Sequence, residues 1–420
     1  MSEMQTRPSF YAVARIVLVL IAATALSVSI FATAEESPIV LTPNAGPIPG
    51  ALFSLNILFH PLTKVPWPAV PFGGWRLSHT NWADLEPQKD NWYFTLLDRY
   101  ADWAQEHNTE ILMPLAYTPT WASSVPDART DVESNAPPGL SGPPSDMEDW
   151  KNFVRTVATR YKGRIHVFEI WNEPNRQQSW VGDVDTMIAM TREARTILKE
   201  VDPHNIVVAP APEQEKGLPW LNEFLSKGGA RYVDVIAYHF YVGTKPPEAM
   251  VPLIQKVRQA MAEYHTGERQ LWNTEAGWLG PTSLPPEMAA GYVARAYLLN
   301  WASGVSRFYW YAWENHHGTL IELTEKDNAT LTAAGKAYVT IEQWMVGSVL
   351  TRCADSSDGT WTCDLQKDGN TVHIVWNTEG HDSLQVPGGW NAKSVSTLSG
   401  ESYAVGNGNV RIGQQPVLIQ

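Results

Sequence analysis

Between residues 51 and 346, short apolar runs alternate with longer stretches whose apolar residues recur every three or four positions. The apolar runs predict strands near 52–58, 74–79, 110–116, 165–172, 205–210, 233–240, 270–274 and 306–312. Helical spacing is clearest in "FTLLDRYADWAQEH", "EDWKNFVRTVATRYK", "DTMIAMTREARTILKEV", "PPEMAAGYVARAYLLNWA" and "TAAGKAYVTIEQWM", while the crossover after the first run has no clear helical pattern. Eight strand–helix units in succession predict an α/β fold, a (β/α)8 TIM barrel over 51–346, a size class of about 250 residues before insertions. Beyond Gly347 the helical spacing stops. There "TVHIVWN", "AKSVSTL" and "NVRIG", separated by Gly and Asn, predict a small C-terminal antiparallel β domain, sandwich-like, over 347–420.

Two stretches depart from this alternation. At the N-terminus, Arg7 and Arg15 precede an uncharged run from Ile16 to Ala34 that closes on Ala32-Thr33-Ala34. That pattern predicts a signal peptide over 1–34 and an exported chain, periplasmic or extracellular. The run is also just long enough to span a bilayer, so an uncleaved membrane anchor is the alternative. The second is "TPTWASSVPDARTDVESNAPPGLSGPPSDM", too rich in Pro, Gly and Ser for a core; leaving the C-terminal end of the third strand, it is expected to form a wall or lid of a site.

Composition narrows the partners. A formal charge of −13, with no Lys/Arg run, argues against nucleic acid and disfavours a polyanionic substrate. The 19 Trp and 15 Tyr are compatible with a carbohydrate ligand, because these rings stack on sugar faces, and equally with barrel packing. Both cysteines, Cys353 and Cys363, lie in the C-terminal region, where export would permit a disulfide acting as a structural staple.

In a barrel of this kind chemistry gathers where strands end at the C-terminal face. Glu173, in "VFEIWNEPN", falls at the end of strand four, and Glu275, in "QLWNTEAGW", at the end of strand seven. Two carboxylates so placed can face one another across the bowl, as cleavage of a glycosidic bond requires: one protonates the departing oxygen and the other attacks the anomeric carbon. Their surroundings must then hold the two pKa values apart. A lone strand-end glutamate would be read as a structural carboxylate, but two in matching contexts, each near an indole, point to catalysis. Competing chemistries lack handles. The first strand, "ALFSLNILFH", has no His-x-His for a metal, His316 and His317 are adjacent and would diverge, and neither a glycine-rich phosphate loop nor a nucleophile elbow is present. No metal and no organic cofactor are therefore expected.

Taken together, "IWNEPN", "WNTEAGW", "YHFY" and "WRLSHTNWADLEP" resemble clan A of the glycoside hydrolases, nearest to family 39 and the related family 5, including family 39 enzymes associated with bacterial exopolysaccharides. The resemblance covers about residues 51 to 346. It implies a retaining mechanism with Glu173 as general acid/base, Glu275 as nucleophile and carboxyl groups about 5 Å apart. It further implies that Asn172 holds the sugar 2-hydroxyl and that Tyr241, two residues after His239, hydrogen-bonds the nucleophile; a core tyrosine with a wet hydroxyl is the plainer alternative. Arg76 would place positive charge beneath Glu275, or serve as an internal ion-pair partner. His239 is grouped with the substrate-binding set. Trp310 and Trp313 on strand eight, with Trp121 and Trp180 in loops, are candidate stacking platforms or packing residues. Glu169 is expected deeper in the barrel, on one strand face with Trp171 and Glu173, and Asn56 and His60 could touch sugar hydroxyls. An oligo- or polysaccharide is the expected partner, with endo action favoured by the long third loop. A non-catalytic carbohydrate-binding protein on the same fold is the other reading.

Overall fold

A computed structural model describes residues 38–58, 65–129, 136–314 and 318–420. The expected leader over 1–34, His60 and the adjacent pair His316 and His317 lie outside the described residues. Among the described residues no helix is long and apolar enough to cross a membrane.

Eight parallel strands close into a barrel: β1 (Phe53–Asn56), β2 (Gly74–Arg76), β3 (Glu110–Leu115), β4 (Val167–Ile170), β5 (Ile206–Val208), β6 (Val235–Tyr238), β7 (Gln270–Ala276) and β8 (Val305–Trp310). Each pairs with the next, and β8 returns to β1 through Phe53 opposite Phe308. Around them run α1 (Thr95–Glu106), α2 (Met147–Arg160), α3 (Val184–Val201), α4 (Leu218–Ser226), α5 (Met250–Glu263), α6 (Pro286–Ala302) and α7 (Ala333–Met345). Several start where sequence supplies a cap: the side chains of Asp146, Asp183 and Thr332 accept hydrogen bonds from first-turn backbone N–H groups of α2, α3 and α7. The crossover from β1 to β2 has no helix among its described residues.

Strand alternation divides the core into two layers. Leu112, Val167, Val208, Val235, Ala237, Trp272 and Tyr309 fill the barrel interior. The odd–even partners face the helices, where Phe53, Trp75, Phe168 and Trp310 join the larger outer core. Helix α6 is buried nearly all round, which accounts for its lack of a polar face. Its outer side is covered by the C-terminal domain: a Cβ on Gly291 would meet the Gln414 carbonyl at 2.8 Å. Beside it, buried Arg295 and the Trp376 indole N–H both donate to Glu248.

The C-terminal region forms a seven-stranded antiparallel sheet from β9 (Val349–Asp355), β10 (Thr360–Lys367), β11 (Asn370–Asn377), β13 (Ser394–Thr397), β14 (Ser402–Ala404) and β16 (Val417–Ile419), with a short pair of β12 (Ser383–Gln385) and β15 (Asn409–Arg411) packed on it. The seventh strand comes from upstream of the barrel, Val40–Leu41, which pairs with β9. Cys353 and Cys363 lie opposite one another on β9 and β10 and are joined by a disulfide.

Candidate active site

At the C-terminal ends of the strands opens a cavity of about 850 Å³ lined by residues that follow β2, β3, β4, β5, β6, β7 and β8. Its geometry starts from irregular backbone. Strand β4 stops at Ile170 because Trp171 and Glu173 take positive φ values (64° and 47°), as do His79, Tyr117 and Gln214 at the neighbouring strand ends. Such conformations cost non-glycine residues of the order of 1–3 kcal/mol each and persist where surrounding bonds hold them. The holding bonds here are a second, shorter ladder: Glu173 N–H donates to Ala211 O, His239 N–H to Pro212 O, and Gln214 N–H to His239 O. This extension sets Glu173, Glu213 and His239 side by side above β4, β5 and β6. On the far wall the pairing of β7 with β8 slips between Asn273 and Ala276. Asn273 points to α6, where it bonds Asn300; the slip re-aims Glu275, two residues on, into the pocket. Gly277 follows because a Cβ there would lie 2.1 Å from the Tyr311 carbonyl oxygen.

These departures bring the two glutamates together: a carboxylate oxygen of Glu173, one of Glu275 and a ring nitrogen of His239 all lie within 4.8 Å of one another. On the Glu275 side, Arg76 is the hub. It donates to Glu275 Oε2 at 2.7 Å, to Glu169 Oε2 at 2.7 Å and to Asn172 Oδ1 at 2.8 Å. The Tyr241 hydroxyl donates to Glu275 Oε1 at 2.8 Å. Burial pushes the Tyr241 phenol well up, and the Glu275 charge adds to this, so it remains a donor. Asn172 gives one amide hydrogen to the Tyr117 hydroxyl at 2.9 Å, leaving the other for a ligand in the cavity it lines.

On the Glu173 side, His239 Nδ1 lies 3.1 Å from Oε1, and Arg176 donates to Oε2 at 2.8 Å. Burial works against charge on Glu173, but His239 and Arg176 outweigh it and hold its carboxyl well below the usual carboxylate range. Burial also opposes charge on His239; Glu275 and Glu173 outweigh it and raise the imidazole. His239 and Arg176 thus favour the ionised form of the carboxyl expected to serve as the protonated acid. Glu213 moves the other way: burial first, and then the nearby charge of Glu173, push it up to about 7.

Glu173, His239 and Glu275 also form the one cluster of potential metal ligands among the described residues. A guanidinium already lies on each carboxylate, and the His239 Nδ1 faces a Glu173 oxygen. The set suits two charged carboxyl groups acting on a ligand between them better than it suits a dication.

Several sequence expectations need correction. Trp310 is fully buried and does not line the pocket; as an odd–even partner of inward-facing Tyr309 it stacks on Trp278 and Tyr297 in the outer core. Trp313 is equally buried and outside the lining. Trp121 sits apart from the cavity, its indole N–H donating to Glu86 O, and Trp180 packs edge-on against Trp171. Tyr311 is the aromatic that reaches the cavity after β8. His239 is fully buried and touches Glu173 instead of lining the ligand space. Trp171 does not share a face with Glu169: its left-handed backbone turns the indole away to donate to Ser179 O. Asn56 is buried beneath the pocket, donating to Tyr309 O. Among its described residues the loop over 118–147 contributes nothing to the lining and folds on itself instead, Thr118 donating to Gly142 O and Ser123 to Gly139 O. Walls come from the loops after β4 and β5, through Asn175, Arg176, Gln177, Gln178, Glu213 and Lys216. Sequence reading missed Arg176 and Glu213; the available signal was an arginine three residues after the strand-four glutamate, one turn away.

The family described as glycosyl hydrolases family 39 matches residues 74–276. A β-xylosidase of Geobacillus stearothermophilus is 24% identical over 163 residues, which make up 36% of this chain and 31% of that protein. The chain thus spans about a third of the length of this curated relative. Among solved structures, a family 39 glycoside hydrolase from the gut symbiont Bacteroides cellulosilyticus superposes with a TM-score of 0.70 at 17% identity, covering 89% of this chain and 81% of the other. A family 39 β-xylosidase from Caulobacter crescentus gives 0.62 at 15% identity, covering 91% and 99%. At these identities the superpositions speak for the shared fold.

Proposed function

We propose that this chain, whose residues 74–276 match the family described as glycosyl hydrolases family 39, hydrolyses β-O-glycosidic bonds of an oligo- or polysaccharide with retention of configuration. The observation that carries this reading is the approach of the Glu173 and Glu275 carboxylates to within 4.8 Å, the spacing of a double displacement and too short for an inverting water, which needs about 6.5–9.5 Å. Glu275, oriented by Tyr241 and Arg76, attacks the anomeric carbon while the leaving oxygen takes a proton from Glu173. Water then displaces Glu275, giving its proton back to Glu173. Asn172 offers its free amide hydrogen to the 2-hydroxyl, where a bond strengthens as the ring gains charge.

The cavity volume lies high in the range of about 300–1,000 Å³ typical of sites for drug-sized ligands, and the Gln177, Gln178 and Lys216 rim continues it beyond the carboxylates. This supports a substrate longer than one sugar and favours endo action. Release of single sugars from a chain end is the second reading, suggested by the β-xylosidase among the relatives. The leader-like segment ending at Ala34 supports export, or anchoring, of the whole chain.

A panel of defined polysaccharides and activated fluorogenic glycosides with product-size analysis tests the proposal. Turnover abolished by Glu275→Ala and partly restored by azide as the inverted glycosyl azide is expected. Saccharide binding without turnover across the panel would instead assign a carbohydrate-binding protein. Oligomeric products support endo action, and single sugars the exo reading.

A further inference from the structure

Double displacement needs two carboxylates, yet the pocket holds a third. Glu213 follows β5, its side chain only 11% exposed, and lines the same cavity. It is a built feature: its backbone N–H donates to Asn175 Oδ1 at 2.8 Å, and Gln214, on a left-handed backbone, donates to Oε2 at 3.2 Å. Between Glu213 and Glu173 stands Arg176, 2.8 Å from Glu173 Oε2 and with Nε 3.7 Å from Glu213 Oε1. Arg176 is 43% exposed, in contrast to Arg76, which is 5% exposed and bonded on three sides.

This arrangement bears on a conflict within the reaction proposed above. Glu173 must carry a proton when the glycosidic bond breaks, and its contacts with His239 and Arg176 favour the ionised form. We infer that Arg176 and Glu213 are positioning residues that set the charge of the acid: Arg176 rests on Glu173 before a sugar binds and turns onto Glu213 when the leaving-group sugar enters, so that Glu173 takes up a proton from solvent. The inference rests on the glycoside-hydrolase reading and adds a role for two residues in it.

The other groups around the acid stay in place during this exchange. Glu173 is faced by His239 and Tyr241 after β6, Glu275 on β7, Tyr117 after β3, Tyr311 after β8, and Arg176 and Glu213. Arg76 is bound to Glu169 and Glu275, and His239 is fully buried. Glu213 in turn is faced by Glu173, Arg176, His239, Glu275, the Tyr238 hydroxyl, and Lys216 on the solvated rim. Of the cations touching Glu173, Arg176 alone is both permanently charged and open to solvent. Its release removes an attractive charge and leaves Glu173 buried beside Glu275, both of which favour the protonated form. The proton given to the leaving oxygen is replaced from the attacking water in the second step, and Glu173 releases that proton to solvent as the product leaves and Arg176 returns, so the exchange closes over one cycle.

The test is the pH dependence of kcat on a glycoside with a poor leaving group, where bond cleavage limits the rate and the alkaline limb follows protonation of the acid in the complex. Glu213→Gln should move that limb down by about one pH unit, because Arg176 then keeps to Glu173 in the complex, whereas Arg176→Gln should leave it near wild type and move the alkaline limb of kcat/KM, which follows the free enzyme, up by about one pH unit. Arg176→Lys should return the limb toward wild type. On a dinitrophenyl glycoside, which departs without a proton, kcat/KM of all three variants should change less than on the poor leaving group. Absence of these two shifts, or shifts in the same direction, with equal losses on both substrates, would overturn the inference while leaving a hydrolase dependent on Glu275. Absence of wild-type turnover, or turnover indifferent to Glu275→Ala, would overturn the parent reading and this inference with it.

Discussion

The two carboxylates of the pocket sit a few ångströms apart in opposite kinds of surroundings. Glu275 is held by Arg76, a buried guanidinium that also binds Glu169 and Asn172, and by a tyrosine hydroxyl whose proton is tightly kept. Glu173 is held by a half-exposed arginine shared with a third carboxylate and by a buried imidazole. The cation beside Glu275 is locked into the barrel, whereas the one beside Glu173 stands at the solvated rim. The contrast lies in the burial of the two arginines.

The sharpest break of this comparison removes one member from each side. Glu275→Ala should lower kcat by at least about 10⁴-fold on every substrate. Glu173→Ala should cost about 10²–10⁴-fold on poor leaving groups and far less on dinitrophenyl glycosides, as steady-state rates would reveal.

Removing the cations separates the sides by stability. Arg76→Met leaves Glu169 charged and unpaired in the barrel and should destabilise by about 3–5 kcal/mol. The exposed Arg176→Gln should cost under about 1 kcal/mol. Denaturant unfolding curves of the two variants provide the measurement, and equal losses would abolish the distinction.

A smaller effect belongs to Tyr241→Phe. Losing one hydrogen bond to a charged group is worth about 1.5–3 kcal/mol, so kcat/KM should fall by roughly ten- to a hundredfold with the fold intact. The smallest is thermodynamic. The carboxyl of Glu213 titrates near 7 when folded and near about 4.3 when unfolded. Its protonated form stabilises the fold fully below the lower value, and this contribution fades as pH rises through the upper one. Glu173 runs the other way: its contribution is present above the unfolded value and fades as pH falls below about 4. Melting temperatures between pH 4 and 8 should therefore decline less steeply for Glu213→Gln than for wild type.

The Glu275 side was the more legible in sequence, for physical reasons. The strands β1 to β8 follow from runs of apolar residues buried on both faces, so the positions of Glu173 and Glu275 near the ends of β4 and β7 could be read directly. Arg76, within a strand, is placed beneath Glu275 by the family resemblance, and it bonds both Glu275 and Glu169. The rim could not. Glu213 owes its place to a ladder beyond the strand ends and to left-handed residues that no period encodes. The tryptophans misled because alternation places a residue on one of two faces without saying which layer that face meets. Trp310 alternates correctly and faces the helices, whereas Tyr311, one position later, enters the pocket. The long loop after β3 misled for a related reason: its composition marks it as surface, while Thr118 and Ser123 bond back to Gly142 and Gly139 and none of its described residues lines the cavity.

The central claim is the close pairing of Glu173 and Glu275 about one anomeric carbon, and its most direct test is stereochemical. Proton NMR of the anomeric signals during the first minutes of hydrolysis, on whichever β-glycoside of the panel is turned over, should record the β anomer appearing first, with the α anomer growing only by mutarotation. An α anomer appearing first would mean that water attacks directly, and would contradict the account.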